Sequence, residues 1–161
     1  MAGARALVDF RLTDQFGRVH AADEYRGEVV VVVGSDRAGS GYVPQWIAAV
    51  RDALADEPGW PHIRTIGVAD VRGVPALFRP MVGLLLQRTA ERGVLLDWEG
   101  VFARAYDFVP GECNVIVVDR EGRLVLQLSG QEVERVRAGL LVQRLRALLR
   151  GEGGPLRPPP A

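Results

Sequence analysis

The chain has 161 residues, 48% of them hydrophobic, and its 20 basic residues balance 20 acidic ones. This length suffices for one sizeable core and is too short for two comfortable domains, so we expect a single domain over 1–150 and a disordered Gly/Pro-rich tail over 151–161. Every basic residue is arginine and the net charge is zero. These numbers predict no basic surface for tracking phosphates, and so no nucleic-acid partner.

The compartment is predicted from two absences in the sequence. No apolar stretch approaches the roughly 20 residues needed to cross a bilayer, and residues 1–9 lack the apolar segment of a secretory signal. We therefore expect a cytoplasmic protein without a membrane partner. The single cysteine, Cys113, excludes an intramolecular disulfide and a Cys-rich metal cage. We expect neither a metal nor a cofactor, and the pattern predicts no particular oligomeric state.

Strands and helices alternate along the first half of the chain. The turn-forming residues Asp14–Gly17 lie inside a short hairpin pattern, and the valine run is apolar on both sides, as is typical of a central strand. In chain order we expect a hairpin at residues 10–19, a central strand at Val29–Val33, an amphipathic helix from Tyr42 to Pro58 and a second strand at Ile63–Val68.

The second half predicts a long helix at Pro75–Glu91, a short strand at Val94–Leu96, another helix at Trp98–Tyr106, a clear hairpin at Asn114–Leu128 and a closing helix at Gln131–Leu149. Pro80 is expected to kink the long helix, and Asp119–Arg123 is expected to form the hairpin turn because it contains Gly122 between two β-rich runs. The closing helix is expected to bury an apolar stripe formed by Val133, Val136, Leu140, Leu141, Leu145 and Leu148.

Three stretches of sequence resemble one known fold when taken in this order of elements. They are Phe10-x-Leu12-x-Asp14-x-x-Gly17 with Tyr25-Arg26-Gly27, then Leu96-Asp97-x-x-Gly100-x-Phe102-Ala103-Arg104-Ala105-Tyr106, and Val117-Val118-Asp119-Arg120-Glu121-Gly122-Arg123-Leu124. From Phe10 to Leu149 the chain resembles the redoxin branch of the thioredoxin-like proteins, which includes peroxiredoxins and thiol-disulfide reductases. The resemblance implies an α/β three-layer sandwich with a central mixed sheet and an N-terminal hairpin extension.

The sequence departs from this family at both functional positions. The resemblance implies a reactive Cys-x-x-Cys after the first core strand, and this chain has Ala38-Gly39-Ser40-Gly41 there. Six residues before Asp119, the thiol reductases carry a cis proline and the peroxiredoxins an arginine. This chain has Cys113 at that position.

Two functions from different classes follow. The favoured one is a redox-inactive module that holds a peptide or a small ligand in the former active-site groove, because dithiol exchange needs a resolving sulfur and this chain has one cysteine. The alternative is a one-thiol oxidoreductase, a peroxidase or thiol reductase, that works through Cys113 with an external thiol. The candidate groove residues are Asp36, Arg37, Ala38, Gly39, Ser40, Gly41, Tyr42 and Glu112.

Cys113 and the loop glycines each have two interpretations. Cys113 is either a reactive thiol near a helix N-terminus or a small apolar residue of the core, and the neighbouring Glu112 would raise the pKa of its thiol. The Gly34–Gly41 loop either offers backbone N–H groups to a small anion or simply permits a tight turn.

Three aspartates each follow a predicted strand or strand-like segment. Asp36, Asp70 and Asp97 would gather near one edge of a parallel sheet, where they could bind a hard cation or act as acid and base. The simpler interpretation makes them caps and loop residues, and we favour it because neither histidine belongs to this group.

Overall fold

The computed structural model describes residues 6–90 and 92–151, so most of the predicted tail lies outside the described residues. The strands are β1 (Arg11–Thr13), β2 (Val19–Ala21), β3 (Val30–Ser35), β4 (Arg64–Asp70), β5 (Val94–Asp97), β6 (Cys113–Val118) and β7 (Leu124–Gly130). The helices are α1 (Val43–Leu54), α2 (Arg79–Thr89), α3 (Val101–Tyr106) and α4 (Arg135–Leu149). Short 3-10 turns lie at 22–25, 40–42, 60–62 and 76–78.

The valine run forms the centre of a five-stranded mixed sheet. The strand order is β5-β4-β3-β6-β7, with β3 parallel to β4, β4 parallel to β5, and β6 antiparallel to both β3 and β7. Every residue of β3 is buried, as expected for β-branched residues in a strand covered on both faces. The predicted α/β class and mixed sheet are confirmed.

Alternate valines of β3 enter two separate cores, because successive side chains of a strand point to opposite faces. Val31 and Val33 pack in the core formed with α1 and α4. Val30 and Val32 pack in the core formed with α3 and the N-terminal segment. Helices therefore cover both faces of the sheet, which confirms the predicted three layers.

The predicted N-terminal hairpin forms as a separate two-stranded sheet of β1 and β2. Its turn is organised by the buried Asp14, whose Oδ1 accepts hydrogen bonds from the backbone amides of Phe16 (2.8 Å) and Arg18 (3.0 Å). Asp14 Oδ2 lies 2.8 Å from His20 Nε2. An isolated bridge between Asp14 and Leu95 connects the hairpin to β5.

The environment of Asp14 predicts a pH-dependent contribution to stability. Burial acts to raise the pKa of Asp14, but hydrogen bonds from His20 and from the amides of Arg18 and Phe16 hold the pKa below its usual 3.8. A carboxyl whose pKa is lower in the folded protein stabilises the fold above the unfolded-state pKa and loses this effect as pH falls through the folded-state pKa. We expect Asp14→Asn to destabilise the protein by about 1 kcal/mol at pH 7 and by less near pH 3.

Urea unfolding of the wild type and Asp14→Asn at both pH values measures this difference. Asp52→Asn is the control, because the Asp52 ion pair with Arg51 is exposed and should contribute little at either pH. An Asp14→Asn effect of equal size at pH 7 and pH 3 would contradict the assignment.

Two details of the predicted helices are wrong. Pro80 lies in the first turn of α2, where a proline fits, and so it begins the helix instead of kinking it. Val136 and Leu140 are 67% and 51% exposed, whereas Leu141, Leu145 and Leu148 form the buried stripe of α4. The apolar residues of this helix occupy more than one face, and only one of those faces meets α1 and the sheet.

Candidate functional site

The antiparallel pairing of β3 and β6 brings two loops together at one end of the sheet. Gly34 at the end of β3 lies opposite Asn114 at the start of β6. The loop that continues from β3, residues 36–42, therefore meets the segment that precedes β6, residues 109–112. Because residues 38–41 stand where the resemblance implies a Cys-x-x-Cys, we call these two segments the former active-site loop and the 109–112 segment.

Asp36 ties the two segments together. Its half-buried carboxylate accepts hydrogen bonds from the backbone amide of Gly39 at 2.8 Å and from that of Gly111 at 3.0 Å. Both donors are backbone groups, so the link holds the main chains themselves. The position of Asp36 directly after β3 agrees with the prediction of a loop-capping aspartate.

Gly39 is the point of closest approach. A Cβ atom on Gly39 would lie 2.4 Å from the carbonyl oxygen of Glu112, and 2.7 and 2.8 Å from its carbonyl carbon and nitrogen. The backbone of Gly39 is helical (φ −86°, ψ −11°), a conformation open to any residue. The glycine is therefore needed here for space and not for an unusual dihedral angle.

Asn114 is a further organising residue, and no motif in the sequence points to it. Its Oδ1 accepts a hydrogen bond from the Val109 amide at 2.8 Å, and its Nδ2 donates to the carbonyls of Val109 and Glu112 at 3.2 Å each. Asn114 is buried. The available signal was a polar residue in an otherwise apolar strand, since a buried amide needs hydrogen-bond partners.

The outer side of the former active-site loop is open to solvent. Arg37, Ala38, Ser40 and Gly41 are exposed, and Tyr42 is half-buried with its ring against the core formed with α1 and α4. Ser40 Oγ donates a hydrogen bond to the carbonyl of Arg37 at 2.8 Å, which stiffens the exposed turn. Of the eight predicted groove residues, four are thus exposed, Asp36, Tyr42 and Glu112 are half-buried, and Gly39 is buried.

Cys113 lies beneath this surface. Its side chain is fully buried in the core formed with α1 and α4, although it directly follows the half-buried Glu112. Burial raises the pKa of the Cys113 thiol to about 12. Desolvation, and not the charge of Glu112, is the cause of this shift. The site therefore offers no thiolate at neutral pH.

We expect Cys113 to react very slowly with iodoacetamide in the native protein. Raising the thiol pKa from 9.0 to about 12 lowers the thiolate fraction at neutral pH about a thousandfold, and the thiolate is the reactive species. Labelling followed by intact-mass spectrometry at pH 8 measures the rate, with the protein unfolded in urea as the control for full reactivity. Rapid labelling of the folded protein below pH 7 that Arg37→Ala abolishes would contradict this expectation.

The three aspartates are engaged separately. Asp36 binds backbone amides, Asp70 accepts hydrogen bonds from the Arg72 guanidinium at 3.0 and 2.9 Å, and the fully buried Asp97 accepts from the first amides of α3, those of Val101 and Phe102. Within residues 6–90 and 92–151, no group of three His, Cys, Asp or Glu side chains is arranged to hold a metal ion. The structure gives the cation-site alternative no support.

Two cavities lie elsewhere in the molecule. One is an apolar cavity beneath α1, lined by residues that include Val33, Trp46 and Trp60. The other is a groove of about 650 Å³ at the opposite end of the strands, lined by residues that include Tyr25 and Arg120. No residue of the former active-site loop lines either one. In the part of the chain that the structure describes, no helix has the length and apolar character needed to span a bilayer.

Comparison with known proteins gives a match of fold. No protein-family model and no curated protein sequence matches the chain. Among solved structures, it is similar to a protein assigned as the thiol:disulfide interchange protein DsbE from Chlorobium tepidum (21% identity, TM-score 0.64, covering 92% of this chain and 99% of that chain). It is also similar to a secreted disulfide oxidoreductase from Mycobacterium tuberculosis (16% identity, TM-score 0.58, covering 87% of this chain and 96% of that chain). A third similar structure is the exposed lipoprotein thioredoxin of Streptococcus pneumoniae (16% identity, TM-score 0.60, covering 83% of this chain and 96% of that chain). The chain therefore has the thioredoxin-like fold of these thiol-disulfide oxidoreductases, with a single cysteine that is buried.

Proposed function

We propose that the protein is a thioredoxin-fold binding module without redox activity, and that it holds a peptide segment on the surface of the former active-site loop. The observation that carries this proposal is the complete burial of Cys113 beneath an exposed loop that has no sulfur of its own. Thiol-disulfide exchange needs an accessible thiolate, and a thiol with a pKa of about 12 does not supply one at neutral pH.

The shape of the surface favours a peptide over a small molecule. Small-molecule sites are concave and enclose most of their ligand, whereas Gly39 packs directly onto the backbone of Glu112 and closes the space between the two segments. Outside this contact, Arg37 and Ser40 are exposed. A peptide that lies across such exposed residues can use its main-chain groups and its side chains together.

Rigidity and charge also support a peptide ligand. The bonds of Asp36 to Gly39 and Gly111 fix both segments before any ligand arrives, which lowers the entropic cost of binding. Arg37 is exposed and forms no ion pair with another described residue, so its guanidinium can meet a carboxylate of the ligand. We therefore expect peptides that combine an acidic residue with an extended backbone.

Panning a phage-displayed library of short linear peptides against the full chain tests the proposal. Synthetic copies of the enriched peptides would be measured by fluorescence anisotropy against the wild type, Arg37→Glu and Ser40→Arg. We expect each variant to weaken binding at least about tenfold. Val136→Arg, a change at an exposed position of α4, is the matched control and should leave affinity unchanged.

A redox assay addresses the alternative, a one-thiol oxidoreductase. We expect the wild type to reduce insulin disulfides, or to consume peroxide with a thioredoxin system present, no faster than Cys113→Ser. Turnover well above that of Cys113→Ser would replace the binding function with the enzymatic one. Enriched peptides that bind Arg37→Glu and Ser40→Arg as tightly as the wild type would overturn the proposed surface.

A further inference from the structure

Helix α2 presents an apolar face to solvent. Leu77 in the preceding 3-10 turn is 82% exposed, and Met81, Leu84 and Leu85 are each more than half exposed. These residues recur at the spacing of one helix face, and the partly exposed Phe78 lies beside them. No residue of α2 is buried.

The rest of α2 faces the body of the protein or is held by polar contacts. Val82 and Leu86 are half-buried on the side away from the exposed face. The Gln87 side chain donates a hydrogen bond to the carbonyl of Gln15 at 2.7 Å, and the Arg79 guanidinium lies 4.8 Å from the centre of the Trp98 ring. The helix is therefore anchored at both ends, and its apolar face is not the side that packs on the rest of the protein.

The size of this face fits one half of a protein dimer. Five large side chains with about half or more of their surface exposed present an apolar area on the order of 500 Å², near the upper limit for the largest patch on a monomer. A standard interface covers about 800 Å² on each partner, somewhat more than half of it apolar. The face of α2 with a polar rim would supply this area.

A two-fold arrangement would pair the cation of this face with an aromatic ring. Arg88 lies on the same side of the helix as Met81 and Leu84, and no acidic residue occurs between Gly73 and Ala90. Phe78 and Arg88 lie five residues before and five residues after Gly83. A two-fold axis near Gly83 would therefore set Arg88 of each copy against Phe78 of the other, a favourable cation–π pair.

We infer that the apolar face of α2 is the interface of a two-fold homodimer, in which α2 of one copy packs antiparallel against α2 of a second copy. The same axis sets Met81 against Leu85 of the second copy. The two Arg88 side chains lie about 15 Å apart along the helices, beyond the range of strong repulsion at physiological salt. A lipid surface fits the face less well, because the helices that lie on membranes keep arginine on their polar side.

Size-exclusion chromatography with light scattering, from low to high micromolar protein, measures the association directly. We expect twice the monomer mass at the higher concentrations. Leu85→Arg sets a charge against an apolar partner and should weaken the dimer at least about a hundredfold. Val136→Arg on α4 is the matched control, since Val136 is as exposed as these residues and lies on another helix.

Cross-linking with a short bis-maleimide tests the antiparallel geometry. Leu84→Cys should cross-link efficiently, because the axis brings position 84 of the two copies within about 3 Å along the helix direction. Leu77→Cys should not, because the two copies of position 77 would lie about 18 Å apart. The wild type is the blank, since its buried Cys113 should not react.

Four results would overturn the inference. A monomer at every concentration, or equal dimerisation of Leu85→Arg and Val136→Arg, excludes this interface. Cross-linking of Leu77→Cys as efficient as that of Leu84→Cys excludes the antiparallel arrangement. A monomer that sediments with phosphatidylglycerol vesicles, and loses this binding in Leu85→Arg, would assign the face to a lipid surface instead.

Discussion

Replacing Gly39 by alanine is expected to lower the free energy of unfolding by about 2–4 kcal/mol, because the new methyl group must displace backbone. The Cβ atom would meet the carbonyl oxygen of Glu112 at 2.4 Å, and all three nearest atoms belong to the main chain of that residue. A flexible side chain could rotate away, but this main chain is held by the bonds of Asp36 and Asn114. The two segments must therefore separate.

Urea denaturation at pH 7 measures the effect, and Gly41→Ala is the matched control. Gly41 lies two residues further along the same loop, and a Cβ atom there would have nothing within 4 Å. We expect Gly41→Ala to change stability by less than about 0.5 kcal/mol. Because the Gly39 backbone is already helical, a large loss in Gly39→Ala alone isolates the steric cost. Equal effects of the two substitutions would show that the segments are not in contact.

The double substitution Ala38→Cys with Gly41→Cys is expected to create a disulfide-forming pair in a protein that has none. The bonds from Ser40 to Arg37 (3.3 Å) and from Tyr42 to Gly39 (3.1 Å) wind residues 37–42 into a continuous tight turn. Side chains three residues apart eclipse in such a turn, within the Cα separation of 4.4–6.8 Å that disulfides adopt. Both positions are exposed, so the pair should also exchange disulfides with a substrate.

Thiol titration and intact-mass spectrometry after mild oxidation measure closure of the pair, and insulin reduction measures its exchange activity. Ala38→Cys with Ser40→Cys is the control, because side chains two residues apart do not face each other. We expect the first pair to close and the second to stay reduced. A correctly folded Ala38→Cys, Gly41→Cys variant that remains reduced would mean that the loop does not have this geometry.

Much of the fold follows from local sequence. Val29–Val33 predicts the central strand because its five consecutive β-branched side chains point alternately to the two faces of a sheet, and both faces must then be buried. Gly122 and the polar residues around it form the turn between β6 and β7, with Gly122 at φ 79°. In both cases the deciding pattern lies within a few consecutive residues.

The helices show where local pattern is insufficient. Periodicity identified α4, but it did not distinguish Leu141 and Leu145, which are buried, from Val136 and Leu140, which are exposed. The leucines of α2 also follow helical spacing, and the fold leaves Leu85 in solvent. Apolar spacing indicates that a face exists, whereas the neighbouring elements decide whether that face is covered.

The candidate site divides in the same way. Composition and short-range pattern are enough to establish that Ala38 to Gly41 contains no thiol, that one cysteine cannot form an internal disulfide, and that a loop joins a buried strand to a helix. Three other features depend on the folding of the whole chain: Asp36 bonds to Gly111, Gly39 touches Glu112, and Cys113 is buried. These contacts join residues about 75 positions apart through the pairing of β3 with β6. No short segment of the sequence specifies that pairing by itself.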